Sequence, residues 1–155
     1  MKLTQAETPG QIEEAQRLFH EYQAWLGLDL CFQNFEQELK SLPGDYAPPS
    51  GRLILGEEGG ATAGCVALRP AGEGVCEMKR LYVRPAFQGT GLGRRLAETI
   101  VGEARSSGYE RMRLDTMPGV MERAVRLYRS LGFVETEPYY HSPVEGTLYM
   151  ELRLR

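Results

Sequence analysis

Between Val83 and Leu96 the chain reads VRPAFQGTGLGRRL, and this segment limits the fold more than any other. Gly89, Gly91 and Gly93 fall at alternate positions, after a β-like segment and before a helical one. Glycine has no Cβ, so it enters left-handed backbone freely and lets a ligand come close to the main chain. Successive N–H groups in such a turn converge on a concavity that suits an anion. The free N–H groups at a helix start add partial positive charge. Strand, loop and helix together make a pyrophosphate site, to which Arg94 and Arg95 add charge. The letters exclude two common phosphate loops. A Gly-x-Gly-x-x-Gly fingerprint would need glycine at Arg94 or at Leu96. A P-loop would need Lys and then Ser or Thr where Arg94 and Arg95 stand. Taken alone, the segment also fits a plain glycine-rich turn into a helix.

The rest of the chain supplies a scaffold. After a short strand near Leu3, Pro9 to Gly27 has helical period, with Ile12, Ala15, Phe19, Tyr22 and Leu26 on one side. Phe32, Phe35, Leu39 and Leu42 predict a second helix, ending before the loop SLPGDYAPPSG. The period then changes. RLILGEE, TAGCVALRP and VCEMKRLYV read as an antiparallel meander. A helix from Gly91 to Ser107, the strand RMRLDTM and a helix from Met121 to Leu131 follow. FVETEPYYH and GTLYMELRL complete the chain as strands. This order predicts an α/β fold with one central sheet and helices on its faces.

The 155 residues fit one domain, 1–155, and are enough to bury a core. A net charge of -3 argues against general nucleic-acid binding, which needs a basic surface. No apolar run approaches the roughly 20 residues that span a bilayer, and the start lacks a signal-peptide core. The expectation is a cytoplasmic protein without a membrane partner. Cys31, Cys65 and Cys76 read as reduced, buried thiols. With two histidines and no Cys-x-x-Cys pair, no metal site is expected.

The glycine loop has company. Gln-x-x-Gly-x-Gly from Gln88, after a strand ending Leu81-Tyr82-Val83-x-Pro85, resembles the acetyl-CoA loop of the GNAT superfamily of N-acetyltransferases. AVRLYRSLGFVE resembles that superfamily's next motif, one helix and one strand later. The resemblance is specific from Val75 to Glu135 and follows element order over the whole chain. It implies a mostly antiparallel mixed sheet in which two strands splay to admit acetyl-CoA. Leu81, Tyr82 and Val83 then pair through backbone with the pantetheine arm, and an N–H near Leu81 or Tyr82 polarises the thioester carbonyl. Gln88, Gly89, Thr90, Gly91, Leu92, Gly93 and Arg94 hold the pyrophosphate.

The same resemblance makes Tyr128 the general acid that protonates the departing thiolate. A phenol with an ordinary pKa near 10 can donate to a thiolate whose conjugate acid has a pKa near 8.5. From periodicity alone Tyr128 reads as a core residue beside Met121, Ala124 and Val125. Glu77 stands where some members carry a glutamate base; its other reading is an ion-pair partner for Lys79 or Arg80. Asp115 and Glu135 are weaker candidates. One departure stands out: many members have Asn where this chain has Met121. The acceptor is expected to be a small-molecule or peptide amine, entering over the first helices and the last hairpin. There Tyr22, Trp25, Tyr139 and Tyr140 offer walls, and Glu21, Asp29 and Glu36 offer negative charge. A homodimer is compatible with this reading. The competing function is an acyl-CoA sensor that binds without transfer; Tyr128 weighs against it.

Overall fold

Alternating side chains and one parted strand pair organise the molecule. The computed structural model describes residues 1–27, 35–117, 119, 121–142 and 144–155. Seven strands form one sheet: β1 (Lys2–Gln5), β2 (Arg52–Glu58), β3 (Ala61–Gly72), β4 (Val75–Val83), β5 (Arg111–Thr116), β6 (Val134–Glu135) and β7 (Leu148–Arg153). Their spatial order is β1-β2-β3-β4-β5-β7-β6. Every pair is antiparallel except β4 with β5.

The helices are α1 (Pro9–Leu26), α2 (Phe35–Ser41), α3 (Leu92–Ser106) and α4 (Glu122–Ser130). Helix α1 begins where Thr8 and Gln11 form a reciprocal capping box around Pro9, and it ends at left-handed Gly27. Period two divides each strand between the two sheet faces. On one face Leu92, Leu96 and Ile100 of α3 meet Val66, Met78 and Met112. On the other, Leu18, Phe19 and Leu26 of α1 and Phe35 of α2 cover Leu53, Leu55, Cys65 and Ala67. The α/β sheet with helices on both faces therefore agrees with expectation. Cys65 and Cys76 are buried free thiols; Asp29, Cys31 and Phe32 lie outside the described residues.

Two irregularities in β4 position the site. The strand pairs with β5 only at Val75, Cys76 and Glu77, opposite Arg111, Met112 and Arg113. Beyond these the parallel strands part, as the family resemblance implies. On its other edge β4 carries a bulge: Cys65 and Ala67 of β3 face Tyr82 and Lys79, leaving an extra residue in β4. Within it Arg80 takes φ 60°, the one left-handed non-glycine among the described residues. Its guanidinium grips Glu38 with two hydrogen bonds, of 2.9 and 3.1 Å. The same group lies over the rings of Phe35, at 5.1 Å, and Tyr22, at 5.8 Å. Strain of this kind persists where the surroundings over-determine it.

One sequence expectation needs correction. FVETEPYYH is not a full strand: only Val134 and Glu135 pair with β7, followed by a bond from the Thr136 amide to Tyr149 O at 2.8 Å. Pro138 lacks the N–H that a continued ladder would use. The chain turns there and brings Tyr139 and Tyr140 back over the sheet.

Candidate active site

The groove beside the glycine loop is built largely from backbone. Beyond Val83 the chain makes a 3₁₀ turn, Pro85–Phe87, and the Gln88 side-chain amide donates to Val83 O at 3.0 Å. Gly89 and Gly91 have φ of 83° and 89°, and a Cβ at either would point into open space. Gly91 stands as N-cap of α3 with no side chain capping the helix, so the first N–H groups face the groove. Leu81, Tyr82, Val83, Gln88, Gly93 and Arg94 also line this groove, of about 530 Å³. An open, donor-rich concavity of this kind fits a pyrophosphate and a pantetheine arm.

Two of the expected loop residues do not line the groove. The Thr90 hydroxyl turns back to donate to Phe87 O at 2.7 Å. The Leu92 side chain is buried in the core under α3, so only its main chain is available to a ligand. Arg94 lines the groove and also ties α3 to α4 through Ser130 Oγ at 2.7 Å. Conversely, Trp25, Phe87, Met121, Arg123, Ala124 and Leu127 line the groove without having been assigned to it from sequence. The face of α4 was legible in its period; Trp25 was read instead as an acceptor wall.

Where β4 and β5 part, a much smaller cavity lies beside the groove. Leu81 and Met121 line both. Tyr128 lines the small cavity, with Tyr22, Met78, Leu114, Lys79 and Asp115 around it. The Tyr128 ring packs 5.7 Å from that of Phe133. Burial, with the charges of Tyr22 and Asp115 behind it, pushes the phenol's pKa up. It is therefore a neutral donor at any working pH. Among the described residues no hydrogen bond occupies its hydroxyl.

Glu77 is the last residue of β4 paired with β5, just before the strands part, and is 4 % exposed. Arg69 Nε donates to one carboxylate oxygen at 2.9 Å, and the Tyr139 hydroxyl to the other at 3.1 Å. Burial alone would raise its pKa; the charges of Lys79 and Arg69 and these hydrogen bonds outweigh that and hold it below the usual carboxylate range. Tyr140 donates to Asp115 at 2.7 Å, and Arg113 stacks 4.1 Å from the centre of the Tyr139 ring. Burial, aided by the neighbouring Arg80, brings Lys79 down to about 8. The structure thus gathers Glu77, Lys79, Asp115, Tyr139 and Tyr140 on one polar floor. Glu21 is engaged elsewhere, with Arg84 at 2.8 Å, and Glu135 pairs with Arg129 at 3.0 Å. Glu36 lines a shallow surface depression with His20, between α1 and α2.

Among the described residues no cluster of three or more His, Cys, Asp or Glu is arranged to hold a metal, and no helix is long and apolar enough to cross a membrane.

Known proteins resemble this chain in sequence and in fold. The model of the acetyltransferase (GNAT) family matches residues 12–133. An uncharacterized N-acetyltransferase of Schizosaccharomyces pombe is 42% identical over 156 residues, covering 99% of this chain and 95% of its own. A GNAT acetyltransferase from Staphylococcus aureus superposes with a TM-score of 0.82 over 99% of each chain, at 15% identity. An acetyltransferase from Salmonella typhimurium, solved with acetyl-CoA, superposes with a TM-score of 0.70 at 23% identity, over 100% of this chain and 94% of its own. The chain belongs to the acetyltransferase (GNAT) family: it is an N-acetyltransferase whose acetyl donor is acetyl-CoA.

Proposed function

We propose that residues 1–155 act as one catalytic domain that moves the acetyl group directly to a primary amine of a small molecule or peptide. The observation that carries this reading is that the long groove and the cavity lined by Tyr128 adjoin, with Leu81 and Met121 lining both. The thioester supplies an activated acyl carbon and a thiolate leaving group.

The chain's own groups divide the work. Gln88, the amides of Gly89 to Gly93 and Arg94 bind the pyrophosphate, with Thr90 and Leu92 contributing main chain only. Leu81, Tyr82 and Val83 offer backbone to the pantetheine arm. Leu81 follows the bulged Arg80 and has no registered partner in β3, so its N–H suits the thioester oxygen. Tyr128 gives its proton to the sulfur as the C–S bond breaks, and regains one from solvent. Glu77 is our candidate for the group that draws the acceptor's proton away as the C–N bond forms, with Tyr139 hydrogen-bonded beside it. Its low pKa makes it a weak base but a permanent negative charge, so attraction of the ammonium is the larger part of its task. Asp115 supplies a second carboxylate on the same floor.

The experiment is a panel of primary amines, including short peptides, with acetyl-CoA and continuous detection of released CoA thiol. Acceptor-dependent release and a product heavier by one acetyl group are expected. Tight cofactor binding with no acceptor-dependent release from any amine would favour a sensor over a transferase.

A further inference from the structure

We propose that the acceptor amine carries its own carboxylate, being a free amino acid, and that Arg113 binds that carboxylate. The inference rests on the reading of the polar floor as the acceptor's place.

The argument begins with register. Arg69 of β3 lies opposite Glu77 of β4, Glu77 opposite Arg113 of β5, and Arg113 opposite Glu151 of β7. Paired residues share a face, so positive and negative side chains alternate across four strands. Arg113 stands between two glutamates and pairs with neither. Glu77 is committed to Arg69 and to the Tyr139 hydroxyl. Glu151 is committed to Arg111, at 3.2 Å. Among the described residues, the Arg113 guanidinium makes no ion pair. It donates from Nη2 to Ala71 O at 3.2 Å, and its buried Nε has no partner.

A guanidinium is a planar fork of N–H donors that matches a carboxylate. One face of this fork lies on the Tyr139 ring, 4.1 Å from its centre. Stacking fixes the plane and leaves the donors on the rim. Arg113 is half-buried and so is not sealed off from a ligand.

Charge balance points the same way. The floor holds Arg69, Lys79 and Arg113 against Glu77 and Asp115, while Arg80 and Glu38 neutralise each other beside it. Burial first, and then the charge of Arg80, bring Lys79 down to about 8 in spite of Glu77 and Asp115. A bare ammonium would add a cation to a floor already one negative charge short. An acceptor with a carboxylate supplies that charge and brings its ammonium with it. Tyr139 joins the two poles: its ring bears the guanidinium and its hydroxyl holds Glu77. Asp115 stands two residues beyond Arg113 on β5, on the same face and past the last pair with β4. There it lines the cavity with Tyr128. A carboxylate on Arg113 therefore sets the amine of the same molecule toward Asp115 and Tyr128.

The test takes the common amino acids with acetyl-CoA, each paired with its α-carboxamide, and reads kcat/KM from CoA-thiol release. The carboxamide keeps the shape and removes the charge. It also lowers the pKa of the amine, which favours reaction, so a preference for the acid is not a matter of reactivity. The best amino acid should exceed its carboxamide at least about tenfold, the scale of one hydrogen bond to a charged group. Arg113→Gln should bring the two within about threefold of each other, mainly by raising KM for the acid. Arg113→Lys should restore part of the preference, because charge returns without the fork. A merely structural role would lower both rates together and leave the ratio standing. If Arg113→Gln fails to fold, the wild-type ratio and Arg113→Lys carry the test. Carboxamides accepted as well as the acids would overturn the proposal and leave the transferase reading intact. So would an undiminished ratio in folded Arg113→Gln. Failure of every amine, on a chain that binds acetyl-CoA, would bring down the transferase reading as well.

Discussion

The two halves of the site are made of different material. The proposed cofactor half, from Leu81 to Arg94, would work mainly through main chain: left-handed glycines, an uncapped helix start and a strand edge set free by the parting of β4 from β5. The proposed acceptor half would work through side chains, with Glu77, Lys79, Asp115, Tyr139 and Tyr140 arranged by contacts far apart in sequence. A backbone site tolerates change in most of its side chains and is tuned to one ligand. A side-chain site can be re-fitted residue by residue to a new one. That difference explains how one fold can keep its donor while its acceptor varies.

The comparison can be broken from the acceptor side first. Arg80→Ala removes the guanidinium that clasps Glu38 and leaves that carboxylate largely buried. Breaking a buried pair from one side costs about 3–5 kcal/mol, which urea unfolding would register as a large fall in midpoint. A loss below about 1 kcal/mol would mean that the bulge does not depend on this ion pair.

Tyr128→Phe sharpens the boundary between the halves. The ring still packs against Phe133, and only a hydroxyl without a hydrogen-bond partner among the described residues is removed. Single-turnover acetyl transfer should fall by about 10²-fold, with acetyl-CoA affinity nearly intact. Equal single-turnover rates, with chemistry limiting both, would return Tyr128 to the role of core packing.

The smallest effect concerns pH. Lys79 falls from an ordinary 10.5 to about 8 in the folded chain, chiefly through burial. Below pH 8 both folded and unfolded chains carry the proton, and its burial is a standing cost. Between about 8 and 10.5 the unfolded chain holds a proton that the folded chain has released. Stability therefore gains from Lys79 as pH rises through that window, by at most about 1.4 kcal/mol per pH unit. Lys79→Met should flatten this contribution in unfolding titrations at pH 7.5 and 9.5. Identical pH slopes in the two proteins would contradict it.

The same division decided what the sequence made legible. Gly89, Gly91 and Gly93 announce themselves because a backbone site is written as missing side chains at fixed spacing. Tyr128 was legible through its motif, since period alone left it among Met121, Ala124 and Val125. Arg80 gave no warning: a left-handed arginine has no local signature, and its partner Glu38 lies 42 residues away. The helical period of α1 fixes a face, not the element that the face meets, so the sequence did not show that Trp25 lines the groove, 6.1 Å from the Tyr82 ring. Asp115 reads in sequence only as a weaker candidate base on a strand, with no motif behind it. Only the parting of β4 from β5 exposes it to the cavity that holds Tyr128.

The central claim is that the glycine main chain after β4 binds acetyl-CoA. Gly91 has φ 89° and open space where a Cβ would be, so Gly91→Val both strains the turn and fills the concavity. The measurement is the shift in thermal unfolding of wild type and Gly91→Val on adding acetyl-CoA. At about 100 times its dissociation constant, a ligand that binds only the folded state adds about 2.7 kcal/mol. Wild type should show a rise of that scale, and Gly91→Val should lose most of it while remaining folded. An undiminished shift in a folded Gly91→Val protein would contradict the account.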